Sequence, residues 1–388
     1  MFDRRLLAGT ITSAVAGIVL SSFIHSNWSV PNIYSDITSF WGRSWVSGGQ
    51  VPYSSSGAFL EYPPVSGAIL YASRVLGGAL SGVAGGDYTG YYLAFCAFSL
   101  LAIVAIAWST WRLASDLGVR VNPLYFLLPT MIIYGIYNFD LFNTLFIILC
   151  LQLFVEKKKG LSAVTLGVAL ATKFVAVVLL PIFLLELVGT KERVRYLVLS
   201  LAVAAAFFVP IAIFNFGYFS QFYSFYSGWG LEDAWYVWIF GDPFSSLAKT
   251  FGLIVMGVLL LRVYTLKMPL VPRSFIALSA YLLGTYIYAP QFNVMLIPLM
   301  AVLAVTSPFV YLLDVFNALI ILTWFTVPDS THPWTLPQAM ALLRSASLAL
   351  LSLSIASSSG HSLISWIRVR TGQQRWRQER LQAPDAPL

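Results

Sequence analysis

A chain of 388 residues in which 58% are hydrophobic and only 10% are charged is far from the roughly 25% charge of a soluble domain, which excludes an ordinary water-solvated globule and makes the bilayer the main solvent. The net charge of +7 does not point to nucleic acid. The Lys and Arg residues fall in short connections between apolar runs, where orientation in the membrane explains them.

Arg4 and Arg5 precede the first apolar run. With no small-x-small cleavage site behind it, this run reads as an uncleaved first helix rather than a signal peptide. Runs of about 20 apolar residues suit a hydrocarbon core of roughly 30 Å, and the pattern predicts helices at about 6–24, 88–113, 123–139, 141–156, 195–214, 244–263, 273–289, 291–306, 309–327 and 338–359. The expected fold is an all-α polytopic transmembrane bundle of about ten crossings. Residues 1–367 form the membrane domain, and the polar tail 368–388 is cytoplasmic. Cys96 and Cys150 lie inside apolar runs without metal-ligand spacing and read as core residues.

The long connection 25–87 follows the first helix and, with Arg4 and Arg5 inside, falls outside. It carries Asp36 and Glu61 among Tyr34, Trp41, Trp45, Tyr53 and Tyr62. Carboxylates bind hydroxyls and aromatic faces cover apolar ring faces, so the mixture suits a sugar. Gly48, Gly49 and Pro52 mark a turn, and Pro63-Pro64 opens an amphipathic segment over 65–78 expected to lie along the interface. Asp36 can serve as a general base or can cap a short helix. Asp140, at the outer end of its predicted helix, can orient a substrate hydroxyl or act as a cap.

Residues 161–189 are apolar but flanked by Lys157, Lys158 and Lys159 on one side and by Lys191, Arg193 and Arg195 on the other. Both ends belong on the cytoplasmic side, and the stretch is shorter than the roughly 40 residues of two crossings. Either it is a re-entrant pair of short helices with Lys173 near the tip, or it is one long tilted helix. A cation in such a segment costs roughly 2.5–3.5 kcal/mol unless paired or hydrated. Lys173 therefore either binds a donor phosphate or pairs with an acid, Glu186 being the nearest structural rival.

Further along, the aromatic loop 215–243 is a lid or acceptor platform, or else an interfacial belt; within it Glu232 and Asp233 stand out. Asp314 and Arg344 are expected to pair across the bundle. His25, His332 and His361 lack ligand spacing and suggest interfacial packing, and no metal or other cofactor is expected.

Four islands carry a resemblance. Tyr34-Ser35-Asp36, Gly49-Gln50-Val51-Pro52-Tyr53 and Glu61-Tyr62-Pro63-Pro64 form the first; Tyr137-Asn138-Phe139-Asp140 the second; Gly167-x-x-Leu170-x-x-Lys173 with Leu180-Pro181 the third; Pro290-Gln291-Phe292 with Ile297-Pro298 the fourth. In this order they resemble the GT-C glycosyltransferases, in particular the polyprenyl-phosphate-mannose-dependent mannosyltransferases of actinobacteria and the first mannosyltransferase of glycosylphosphatidylinositol synthesis. Where the latter has Asp-x-Asp, this chain has Asp36-Ile37-Thr38, which favours a single base over a chelated metal.

The resemblance implies an inverting transferase that moves a hexose, mannose above others, from a polyprenyl- or dolichyl-phosphate sugar to a glycolipid or glycan acceptor. The site would lie at the extracytoplasmic face of the cell membrane, or of the endoplasmic reticulum in a eukaryote. Asp36 would be the base and Lys173 the phosphate ligand, with Tyr34, Tyr53, Glu61, Tyr62, Asp140 and Gln291 binding substrate. A transporter or flippase of lipid-linked sugars and a non-catalytic subunit are the rival readings; a transporter of this size often shows repeats, and no fixed-period repeat is apparent in the sequence.

Overall fold

The computed structural model describes residues 4–26 and 32–358; His361 and the polar tail from Arg368 lie outside them. Among the described residues the chain is all-α, and an isolated bridge between Glu232 and Ile287 is its only strand-like pairing. The helices in order are α1 (Arg4–Ile24), α2 (Asp36–Phe40), α3 (Ser44–Ser47), α4 (Pro64–Ala84), α5 (Asp87–Leu117), α6 (Pro129–Tyr134), α7 (Asp140–Val155), α8 (Lys159–Thr172) and α9 (Leu180–Glu186). Then follow α10 (Thr190–Phe214), α11 (Gly217–Gly228), α12 (Val237–Phe240), α13 (Ser246–Thr265), α14 (Leu270–Gly284), α15 (Ile297–Leu303), α16 (Pro308–Trp324) and α17 (Leu336–Ser358). Six of them, α1, α4, α5, α10, α13 and α17, are long and apolar enough to cross a membrane.

A chain solvated by lipid must satisfy its backbone internally, which favours helices, and its hydroxyls must find carbonyls as well. Thr110 accordingly donates to the Ile106 carbonyl at 2.7 Å, and Ser200 to that of Tyr196 at 2.9 Å. The segment expected to be amphipathic over 65–78 is longer. Pro64 fits the first turn of α4, where a missing N–H costs nothing, and nothing breaks the helix before Gly85 and Gly86 turn the chain with φ of 81° and 138°. Gly77 and Gly90 let α4 and α5 pack backbone to backbone, since a Cβ on either would meet the other helix's main chain.

The helix expected over 123–139 is broken. Pro123 and Pro129 divide it into a 3₁₀ turn, Pro123–Leu127, and the short α6, because each proline disfavours a helical residue before it. Past α6, the carbonyls of Ile136 and Tyr137 are left for Ser35, whose hydroxyl lies 3.1 and 3.2 Å away.

The apolar stretch 161–189 is a pair of short helices, and the single tilted helix is overturned. α8 ends at Thr172, Lys173 is extended (φ −153°, ψ 137°), and a 3₁₀ turn, Phe174–Leu179, leads into α9. On the way back the Phe183 ring meets Phe154 at 4.9 Å and Tyr196 at 5.4 Å, while Lys159 pairs with Glu192 at 2.8 Å. Both basic clusters thus share one end of the bundle. A helix of 14 residues rises only about 21 Å, less than the thickness of a hydrocarbon core.

The region expected to hold helices at 273–289 and 291–306 repeats the device. α14 ends at Gly284, a 3₁₀ turn, Pro290–Leu296, follows a short loop, and α15 descends. Leu179 and Leu296, the residues before the descending helices, have the same φ of −82° and ψ of −24°, and Pro181 and Pro298 follow two residues later.

Charged groups collect at the feet of these hairpins: Arg112 with Glu156 at 3.0 Å, Lys158 with Glu156 at 2.7 Å, and Arg273 with Glu186 at 3.1 Å. Asp314 and Arg344 do not pair, contrary to expectation. Asp314 accepts the Thr130 N–H at 3.0 Å, and Arg344, fully buried, donates to the carbonyls of Asp233 at 3.0 Å and Tyr288 at 2.8 Å. Carbonyls left open by the loop at 233 and by the turn into the second hairpin give the guanidinium better-directed acceptors than a carboxylate engaged elsewhere.

Candidate functional site

A cavity of about 620 Å³ opens at the end of the bundle opposite the charged feet, walled by the loop 34–63, the tips of both hairpins, the loop 229–233 and the end of α16. Of the residues expected to act on substrate, Asp36, Lys173, Tyr34, Glu61, Tyr62 and Gln291 line it.

Asp36 is positioned by Ser35, which caps α2 by accepting the Ile37 N–H at 3.2 Å while its own hydroxyl holds the chain past α6. Tyr91, from α5, donates to the Ile37 carbonyl at 2.9 Å and clamps the same turn. Asn138 then reaches Asp36 Oδ2 with its Nδ2 at 2.7 Å and the Tyr62 hydroxyl at 2.6 Å, and Tyr62 lies 3.4 Å from the same carboxylate oxygen. Packed into this corner, the Asp36 carboxyl is pushed up to about 7, chiefly by loss of water. A hydrogen bond from Tyr34 and the charge of Lys173 oppose that rise, while Glu232 and Glu61 add to it. Tyr34 is pushed up to about 12 by burial and by Asp36.

Lys173 stands at the turn of the first hairpin, where its backbone has left the helix. Both Asp140 oxygens accept from its ammonium at 2.8 Å, and the charge lies 4.4 Å from the Phe292 ring centre and 5.4 Å from that of Tyr62. An ammonium has three N–H donors, and Asp140 takes two. The expected rival partner, Glu186, sits at the hairpin's foot with Arg273 instead. Tyr62 therefore stands between the two charged groups, its hydroxyl toward Asp36 and its ring toward Lys173.

Two expectations are corrected. Asp140 does not line the cavity; it is buried at 3% exposure as the counterion of Lys173, because an ammonium at this depth needs a carboxylate against it. Tyr53 does not line it either. Held in the left-handed region at φ 66°, it turns its ring onto Gly67, where any Cβ would collide with the phenol, and donates to the carbonyls of Tyr62 at 2.9 Å and Pro63 at 3.0 Å. It supports the wall from behind. Glu61 does reach the cavity, but as half of a two-pronged pair with Arg43 at 2.7 and 2.6 Å, and Arg43 in turn lies 4.6 Å over the Phe40 ring.

Sequence reasoning missed Asn138 and Arg43. Asn138 sits within the Tyr137-Asn138-Phe139-Asp140 island, where a polar residue between aromatic ones was the available signal. The partner of Arg43 is 18 residues away, beyond any helical spacing. Glu232 and Asp233, singled out in the aromatic loop 215–243, line this same cavity, together with Trp229, Tyr226 and Tyr286. Among the described residues, no group of three His, Cys, Asp or Glu side chains is placed to hold a metal ion.

The chemistry on offer is a carboxyl that changes protonation near neutrality, an ammonium with a donor to spare, and aromatic surface between and around them. No family model matches the chain, and no curated protein matches it.

Proposed function

We propose that the chain is an inverting GT-C-type glycosyltransferase that moves a hexose, with mannose the leading sugar, from a polyprenyl- or dolichyl-phosphate carrier to a glycolipid or glycan hydroxyl at the extracytoplasmic face. One observation carries the reading: Asp36 and Lys173, 137 positions apart in the sequence, line one cavity at the end of the bundle opposite the charged feet. With those feet on the cytoplasmic side, the cavity faces the other way, as the positive-inside rule requires.

In this reading the donor phosphate lies beside Lys173, whose third N–H and fixed charge meet the phosphate oxygens. The Asp36 carboxylate takes the proton from the acceptor hydroxyl, and the acceptor oxygen bonds to the anomeric carbon from the face opposite the phosphate. The bond from that carbon to the phosphate oxygen breaks with its electron pair on the oxygen, leaving a polyprenyl phosphate next to the ammonium. The anomeric configuration inverts. Because the leaving group is already a phosphate, no separate acid is required.

The test uses the full chain in lipid nanodiscs with labelled polyprenyl-phosphate-mannose. Transfer to an alkyl mannoside acceptor is expected, and Asp36→Asn should abolish it with the thermal midpoint held; wild-type protein that never consumes the donor overturns the reading. The paired broken hairpins favour one rival, since transporters use interrupted helices at their sites. A transporter would instead move labelled lipid-phosphate sugar across a liposome bilayer with the glycosidic bond intact.

A further inference from the structure

On the loop 229–233 that walls the cavity, Glu232 and Asp233 are neighbours with different surroundings. The loop that carries them is stapled to the second hairpin. Glu232 N–H donates to the Tyr286 carbonyl at 2.9 Å, Tyr288 N–H returns a bond to the Glu232 carbonyl at 2.9 Å, and Arg344 holds the Asp233 carbonyl. Asp233, with φ at 55°, turns the chain where both consecutive residues line the cavity. Trp229 donates its indole N–H to Glu232 Oε2 at 2.8 Å while 41% of the residue remains exposed.

Asp233 has no exposed surface. Gln338 donates to its Oδ1 at 3.2 Å, yet its Oδ2, equally buried, has no partner. A buried polar atom left alone costs of order 1–3 kcal/mol, so an orphan oxygen on a cavity wall calls for a ligand group.

We infer that Trp229, Glu232 and Asp233 form a second sugar subsite, which takes the hydroxyls of the acceptor glycan in the cavity that Asp36 also lines. This rests on the transferase reading for the word acceptor, though not for the binding of a sugar. The indole offers a ring face to the sugar's apolar side and keeps Glu232 aimed. Burial drives both carboxyls upward, Asp233 to about 8, which favours hydroxyl partners over a cation.

The probe is octyl α-D-mannopyranoside, added to the full chain in nanodiscs. Saturation transfer from protein to the sugar-ring protons should appear in the wild type without any donor, and should fall at least fivefold in Trp229→Leu and Glu232→Gln. In the transfer assay those variants should raise the KM for the octyl mannoside about tenfold, with the larger share of the effect on acceptor rather than donor. Asp233→Asn, the gentlest change at a buried position, serves where Trp229→Leu lowers the thermal midpoint, and should weaken the ring-proton signal likewise. Variants with wild-type ring-proton signals, or a wild type that shows transfer only to the octyl chain, overturn the subsite. If the sugar ring binds but donor is never consumed, the transferase reading fails and the subsite stands. If donor is consumed and the variants are indifferent, the reverse holds.

Discussion

The two broken hairpins, α8 to α9 and α14 to α15, share a backbone device and differ in what they present. Each rises as a short helix, stops, continues as a 3₁₀ turn, and descends behind a proline, with Leu179 and Leu296 in the same conformation. One tip carries Lys173, with Asp140 behind it; the other carries Pro290, Gln291 and Phe292, without a charge. Irregular backbone inside an apolar layer needs protein or a wet cavity around it, and both tips have the same cavity. The backbone device therefore makes the cavity, and the side chain at the tip sets its chemistry. The second tip even serves the first, since Phe292 lies under the Lys173 charge.

Breaking that division gives the largest expected effect. Lys173→Met leaves Asp140 buried against apolar neighbours, which costs roughly 3–5 kcal/mol for a severed buried pair. The thermal midpoint should fall sharply and transfer should vanish. Adding Asp140→Asn should recover most of the midpoint and none of the transfer, which separates the pair's structural work from the ammonium's chemistry; recovery of both would show that the charge is not needed at that tip.

Next in size is Asp36, the other charge of the site. Its carboxyl titrates near 7 in the folded chain against an ordinary 3.8, so between these values the folded form holds a proton that the unfolded form has lost. Stability on this account declines as pH rises through that window and levels above 7. On the proposed reading activity should run the other way, because only the carboxylate accepts a proton: kcat/KM should climb about tenfold per pH unit below 7 and flatten above it. Asn138→Ala should shift that midpoint upward, since Asn138 donates to the charged form at 2.7 Å. A pH profile without an inflection between about 6 and 8 would remove Asp36 from the role of base. Gln291→Leu, at the uncharged tip, should cost less, on the order of tenfold in rate, the usual scale of about 1.4 kcal/mol for one neutral hydrogen bond.

How much of this was readable follows from range. Periodic apolar runs located the long helices α1, α5, α10, α13 and α17, because length and composition are local properties. The basic residues on both sides of 161–189 betrayed the first hairpin, since charge at both ends cannot be reconciled with one crossing. The second hairpin carries no such double flank and read as two ordinary crossings. Asp36, Tyr62 and Lys173 stood out through residue type. What Asp140 does was not legible, because a carboxyl at a helix start looks the same whether it meets a substrate or an ammonium 33 positions on. Tyr53 misled for a related reason: its left-handed backbone and the space left by Gly67 exist only after folding.

The smallest effect lies at the feet of the hairpins, where the pair of Glu186 and Arg273 is part exposed, with Glu186 side-chain exposure at 33%. Such pairs contribute about 0–1 kcal/mol, so Glu186→Gln should move the thermal midpoint by no more than a degree or two and leave transfer intact. Its value is topological rather than energetic. Glu186 closes the first hairpin and Arg273 opens the second, so both feet must lie on one side of the membrane. With Cys96 and Cys150 replaced by alanine, cysteines introduced at Lys157, Lys191 and Lys267 should all react with an impermeant reagent from the cytoplasmic side, and one at Phe216 from the other. Labelling of Lys157→Cys and Lys191→Cys from opposite sides would turn the first hairpin into a crossing, invert every later loop, and leave Lys173 without the turn that brings it to Asp140.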